Sequence, residues 1–243
     1  MSKPKSDKQT FLFAFIVLAV CSMLLSATAA ALRDRQQRMV EFDRKRNVLL
    51  AFGVEIRHED GTRFTPEDVD RVVEQNIREV IIDAETAEII PGLTRADVDP
   101  RHIRNKIKLP LYLWEENGDV RRYAFPISGY GLWSTIYGYI ALETDLATIA
   151  GITFYEHGET PGLGAEIERP WFREQFKGKV LYQDGEPVEF KVAKGRADVQ
   201  YPDRIDHAVD GISGATFTGQ GVAEFITRDF KLYNRFFENI RNQ

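Results

Sequence analysis

Apolar and polar positions alternate along this chain in three different rhythms. The first is no rhythm at all: Phe11 to Leu32 is an unbroken run of 22 residues without a charge. At 1.5 Å per residue such a helix would reach about 33 Å, enough for a hydrocarbon core of about 30 Å. From Arg33 to Phe52 charges interrupt Met39, Val40, Phe42, Val48, Leu49 and Leu50, which predicts a helical continuation ended by Gly53. Thr65-Pro66-Glu67-Asp68 supplies an N-cap residue, proline at the first helical position and early acids. Val69, Val72, Val73 and Ile77 then mark one face of a predicted helix. Strand patterns follow. Leu109 to Trp114 and Val120 to Pro126 flank Asn117-Gly118, a hairpin signal, and Ile136 to Leu142 and Ile152 to Tyr155 are joined through Asp145. A terminal helix starting at Thr218 carries Val222, Phe225, Ile226, Tyr233, Phe236 and Ile240 at helical spacing. Hairpin-linked strands with helices before and after predict an α+β fold: a transmembrane helix, then a domain with an antiparallel β-sheet core and flanking helices.

Composition narrows the chemistry. The 243 residues carry a net charge of −5, and no basic stripe with interleaved aromatics marks a nucleic-acid partner. Cys21 is the only cysteine, which excludes an intrachain disulfide and a cysteine-ligated cluster. His58, His102, His157 and His207 lack metal-ligand spacing, so no metal is expected. For the apolar run two readings stand. One is an uncleaved anchor, with 1–10 as a cytoplasmic tail, 11–32 as the membrane span, 33–53 as a juxtamembrane helix and 54–243 as the soluble domain. The other is a cleaved signal, for which Ala27-Thr28-Ala29 supplies the small-residue pattern. The run's continuation to Arg33 favours the anchor. Charge conflicts with an outward-facing domain: Lys3, Lys5 and Lys8 precede the span, but Arg33, Arg35, Arg38, Arg44, Lys45 and Arg46 follow it. Long domains translocate largely regardless of nearby charge.

The densest chemistry lies in Asp210-Gly211-Ile212-Ser213-Gly214-Ala215-Thr216, just before the terminal helix. Its glycines allow close backbone approach to a ligand, and the helix behind it would present free N–H groups to a phosphate. Taken alone, the end of this run is a turn and a helix cap. The whole run resembles the flavinylation motif of FMN-binding domains, D-G-x-[ST]-G-A-T. Tyr130 to Gly138 (Y-G-L-W-S-T-I-Y-G) and His157 to Gly164 (H-G-E-T-P-G-L-G) are also glycine-punctuated. With Asn47 to Gly53 they stand in the order seen in the C subunit of the Na⁺-translocating NADH:quinone reductase, which this chain resembles. The G subunit of the Rnf complex is a close relative by the same motifs; Leu132-Trp133-Ser134 and the length between anchor and first core strand favour the quinone reductase. The stretch Lys194 to Asp210 is longer than the family pattern.

That resemblance implies covalent FMN on Thr216 through a phosphoester. Ser213, Gly214 and Ala215 would shape the phosphate loop, while Glu159, Thr160, Leu163 and Gly164 would line the isoalloxazine and Trp133 would pack beside it. Lys194 would be a cation near the flavin N1/C2 carbonyl, stabilising an anionic reduced form; as a residue alone it reads equally as a solvated surface lysine. Asp210 would be a turn or recognition element. No base triad activates Thr216, so the resemblance implies a separate FAD-dependent flavin transferase. It further implies an electron relay in a bacterial inner-membrane complex, with a periplasmic domain and other redox subunits as partners, and no independent catalytic site. Two further readings are an FMN-binding module outside any complex and a serine hydrolase at Ser213. The second is weak, since Gly211-Ile212-Ser213-Gly214-Ala215 is not G-x-S-x-G.

Overall fold

The computed structural model describes residues 7–58 and 60–242, so Lys3 and Lys5 of the expected tail lie outside the described residues. Two compact units divide the chain, 1–44 and 45–243. The helix α1 runs Asp7–Ala51 and contributes to both. Its apolar N-terminal stretch is long and apolar enough to cross a membrane, with Phe11, Phe13, Phe15 and Leu25 exposed. The helix ends as the sequence dictates. Gly53 takes φ +82°, Val54 N–H donates to Leu49 O and Gly53 N–H to Leu50 O, which is the Schellman pattern.

The second unit is built on one antiparallel sheet. Thr65 caps α2 (Pro66–Asn76) in a capping box with Asp68. Ile77, expected on the face of that helix, is instead the first residue of β1 (Ile77–Asp83): its backbone is already extended, at φ −115° and ψ 122°. A two-residue β2 (Ile89–Ile90) and a short α3 (Pro100–Arg104) follow. The hairpin of β3 (Lys108–Glu116) and β4 (Asp119–Tyr130) turns at Asn117 and Gly118, both with positive φ, as a two-residue hairpin of matching twist requires. Next come β5 (Thr135–Glu143) and β6 (Ile149–Glu156), whose turn Asp145 holds by accepting the N–H groups of Ala147 and Thr148. The strand order is β2-β1-β3-β4-β5-β6.

Side chains leave the sheet on both faces. Leu109, Leu111, Leu113, Phe125, Ile127, Ile140 and Leu142 point into the main core, against α6 (Thr216–Arg241). Phe125 stacks on Tyr233 at 4.3 Å, and the Tyr233 hydroxyl donates to Pro110 O at 2.7 Å. Fully buried Asp229 fixes α6 along β4 by accepting Ser128 N–H at 2.8 Å and facing Lys106 Nζ at 3.0 Å. The alternate positions Tyr112, Ala124, Tyr139 and Ala141 pack beneath Val48, Ala51 and Phe52, the last turn of α1 within this unit. The terminal helix starts at Thr216, two residues before the expected Thr218, because Ile212, Ala215 and Val222 all reach the core and draw the first turn inward.

Between β6 and α6 the chain makes short elements: α4 (Pro170–Arg173), the pair β7 (Tyr182–Gln183) and β8 (Glu186–Pro187), then β9 (Lys191–Val192), α5 (Ala197–Gln200) and β10 (Ala208–Val209). The parallel pairing of β9 with β10 matters most, since beyond it the chain from Ala193 to Gly195 runs alongside Gly211 in the glycine-rich run.

Candidate functional site

Thr216 is the first residue of a 26-residue helix that opens without a side-chain cap, since Ala215 stands at the N-cap. The first N–H groups of a helix lack intrahelical acceptors and carry its positive dipole end, so an uncapped start is a ready anion seat. Gly214, with φ +75°, makes the turn into it, and Ala215 N–H donates to Ile212 O at 3.0 Å. Ala215 is buried, Thr216 half-buried, and Ser213 and Gly214 exposed, so the run presents polar groups outward from an anchored base.

The second glycine-rich segment sits against this turn. Leu163 is 42% exposed, and a side chain at position 214 would place its Cβ 2.9 Å from Leu163 Cδ2. Thr160 is exposed, and its carbonyl accepts the N–H groups of Leu163 and Ala165, both at 3.1 Å, which closes the loop. Gly164 is buried under Thr218, within reach of its hydroxyl.

Glu159 is only 5% exposed and ties the third segment to the other two. One carboxylate oxygen, Oε1, accepts the N–H groups of Leu132 (3.1 Å), Trp133 (2.9 Å) and Ser134 (3.4 Å). The other, Oε2, accepts the Thr218 hydroxyl at 2.6 Å. Burial pushes the Glu159 carboxyl up, but the Thr218 hydroxyl and the three N–H groups outweigh it and hold it below the usual carboxylate range. The Ser134 hydroxyl accepts Gly158 N–H at 2.5 Å, and His157 Nδ1 accepts Glu159 N–H at 3.1 Å. The loop so fixed carries Trp133 outward, 69% exposed.

Lys194 is exposed on the segment after β9. Gly211 N–H donates to Gly195 O at 2.8 Å, and a Cβ at 211 would lie 1.9 Å from Ala193 O, so the lysine's backbone runs directly along the threonine-bearing turn. The carboxylate of Asp210 is turned away, accepting Ala197 N–H at 2.6 Å at the start of α5. The longer stretch before it is thus an ordered excursion, packed on Ala193, Ala197 and Ala208.

The candidate flavin-site residues therefore fall on three loops around the start of α6, the Trp133 loop, Glu159 to Gly164 and Ser213 to Thr216, with Lys194 on a fourth segment after β9. Sequence reasoning missed Thr218, Ser134 and Gln175, whose side-chain oxygen accepts Asp210 N–H at 2.8 Å. Only the glycines at 131, 158 and 164 signalled how closely these loops approach.

A domain of this design is an FMN-binding domain: the family profile of that description matches residues 131–229. The C subunit of the Na(+)-translocating NADH-quinone reductase from Yersinia pestis is 35% identical, over 90% of this chain and 88% of its own length. That of Vibrio anguillarum is 34% identical over 95% and 92%. Among solved structures, the C subunit from Parabacteroides distasonis superposes with a TM-score of 0.70 at 29% identity, covering 84% of this chain and 96% of its own. Shewanella oneidensis NqrC gives 0.68 at 26% identity, covering 86% and 100%. The chain belongs to the NqrC family, the C subunits of the Na(+)-translocating NADH-quinone reductase.

Proposed function

We propose that this chain is a membrane-anchored electron relay carrying FMN esterified through its phosphate to Thr216. The observation that carries this reading is the uncapped start of α6 on a half-buried threonine, ringed by the two other glycine-rich loops. The donor set fits the group. The N–H groups of the first helical turn suit a phosphate, and the tether on Thr216 holds it there. Ser213, Gly214 and Ala215 shape that turn, and Leu163, with Thr160 and Gly164 behind it, offers an apolar wall beside it. Exposed Lys194 would supply the cation for the electron-rich edge of the ring, and exposed Trp133 would pack beside it. Bound FMN supplies electron transfer between neighbouring redox groups. The residues themselves bind, orient and shield.

Maturation is assigned, on the family resemblance, to a separate FAD-dependent flavin transferase, since a threonine hydroxyl is a weak nucleophile unless activated. The relatives' quinone reductase makes the partners other subunits of such a membrane complex. The apolar part of α1 holds the chain in the bilayer through residues 11–32, with the second unit in the periplasm. The test is the intact mass of the full chain made with and without the transferase. An increment of FMN minus water only with the transferase supports the reading; equal masses overturn the covalent linkage. Co-purification of redox subunits in mild detergent separates a relay from a free-standing FMN module.

A further inference from the structure

Glu159 makes four contacts that no surface carboxylate needs. It accepts three consecutive backbone N–H groups from Leu132 to Ser134 and a hydroxyl from the first turn of α6. Space around it is reserved. A Cβ at position 131 would lie 2.6 Å from its Oε1, and one at 164 would lie 2.7 Å from its Oε2 and equally near the Thr218 hydroxyl. Two glycines from different segments thus make room for one carboxylate. Thr218 is two residues beyond Thr216, on the same turn, so the contact couples the Trp133 loop to the helix start.

We propose that Glu159, acting through Thr218, is the positioning residue that locks the Trp133 loop to the turn bearing Thr216, rather than a group that touches the flavin. This deepens the flavin assignment and rests on it for the consequence, though the clamp is measurable without it. A carboxylate accepting from N–H and O–H donors at this burial is stronger than neutral pairing, and deleting its charge leaves donors unpaired. Glu159→Gln keeps the shape, halves the acceptor capacity and places an NH₂ against donors.

Hydrogen exchange on the full chain in detergent, with and without loaded flavin, reads the clamp directly. In Glu159→Gln the amides of residues 132–134 should exchange about ten- to hundredfold faster, as loss of a charged hydrogen-bond acceptor predicts. The β3–β4 peptides should keep their wild-type protection. Thr218→Val should loosen the same amides, and Thr218→Ser should restore them. In flavin-loaded protein of unchanged stoichiometry, the visible circular dichroism of the FMN should fall in Glu159→Gln and Thr218→Val and recover in Thr218→Ser. Unchanged protection at 132–134 in both Glu159→Gln and Thr218→Val overturns the clamp. Lost protection with unchanged visible dichroism overturns its positioning role. A wild-type chain with no FMN mass would sink the Thr216 assignment alone, since exchange still reports on Glu159.

Discussion

A hydroxyl at position 216 is the only atom there that can form the phosphoester, and valine copies threonine's branching without it. Thr216→Val should therefore abolish covalent FMN while leaving the melting temperature nearly unchanged; mass spectrometry of the peptide from Asp210 to Arg228 checks this, and a persisting increment places the linkage elsewhere. Ser213→Ala should keep at least part of the flavin, since Ser213 is exposed and is not the attachment residue. Lys194→Met should lower the flavin's potential. If its ammonium contributes one decade of stabilisation, about 1.4 kcal/mol, the shift is about 60 mV for one electron; an unchanged redox titration returns Lys194 to the solvated surface. Acid should loosen the site through Glu159. Its carboxyl is held below the ordinary value in the folded chain, so its stabilising contribution is complete above about pH 4.3 and is lost as the pH falls further. Protection factors at 132–134, with the intrinsic pH dependence of amide exchange divided out, that do not fall below that range count against this. What was legible at this scale follows from sequence distance. The run from Asp210 to Thr216 is contiguous and reads as a motif, whereas Thr218 is 59 positions from its partner Glu159 and resembles any helical threonine.

Elements were legible where one face meets solvent. The hairpin at Asn117-Gly118 and the capping box at Thr65 are local codes, and both formed where their residues stand. By contrast β1 escaped detection, because Val80, Ile81 and Ile82 are all buried and the period-two signal disappears. Ile77 then completed a helical spacing that the extended backbone interrupts. The start of α6 was misplaced by two residues, since no side-chain cap announces it. That helix offers a direct test of how the site is seated. A Cβ at position 221 would fall 2.1 Å from Tyr130 O, a backbone atom that cannot swing aside. Gly221→Ala should force α6 off the end of β4, at a cost of about 1–3 kcal/mol, lowering the melting temperature by roughly 2–4 °C per kcal/mol and impairing flavin loading. A wild-type melt and full loading would mean that the first turns of α6 are not held by this contact.

For the whole molecule, the apolar run, the antiparallel sheet and the family were legible in the sequence, because each rests on long or contiguous patterns; orientation was not, because the arginines after the span oppose the long-domain argument. A reporter active only outside the cytoplasm, fused to Gln243, should give signal; signal from a cytoplasmic reporter instead would reverse the assignment. Where the second unit begins has a physical answer. Helix α1 continues to Ala51, yet the compact unit starts at Lys45, and Val48, Leu49, Ala51 and Phe52 are at most 2% exposed within it. Removing residues 1–44 should therefore leave a soluble domain that folds and, exported with the transferase, takes FMN. Removing 1–53 takes away those four side chains and uncovers Tyr112, Tyr139 and Ala141 on the sheet. Burial of Val, Leu and Phe is worth about 1.5–3 kcal/mol each, which is of the order of a whole domain's net stability, about 5–15 kcal/mol. The longer deletion should aggregate or melt more than about 10 °C lower, as thermal unfolding of the two truncations side by side will show. Equal melting temperatures would mean that the end of α1 is dispensable to the flavin domain.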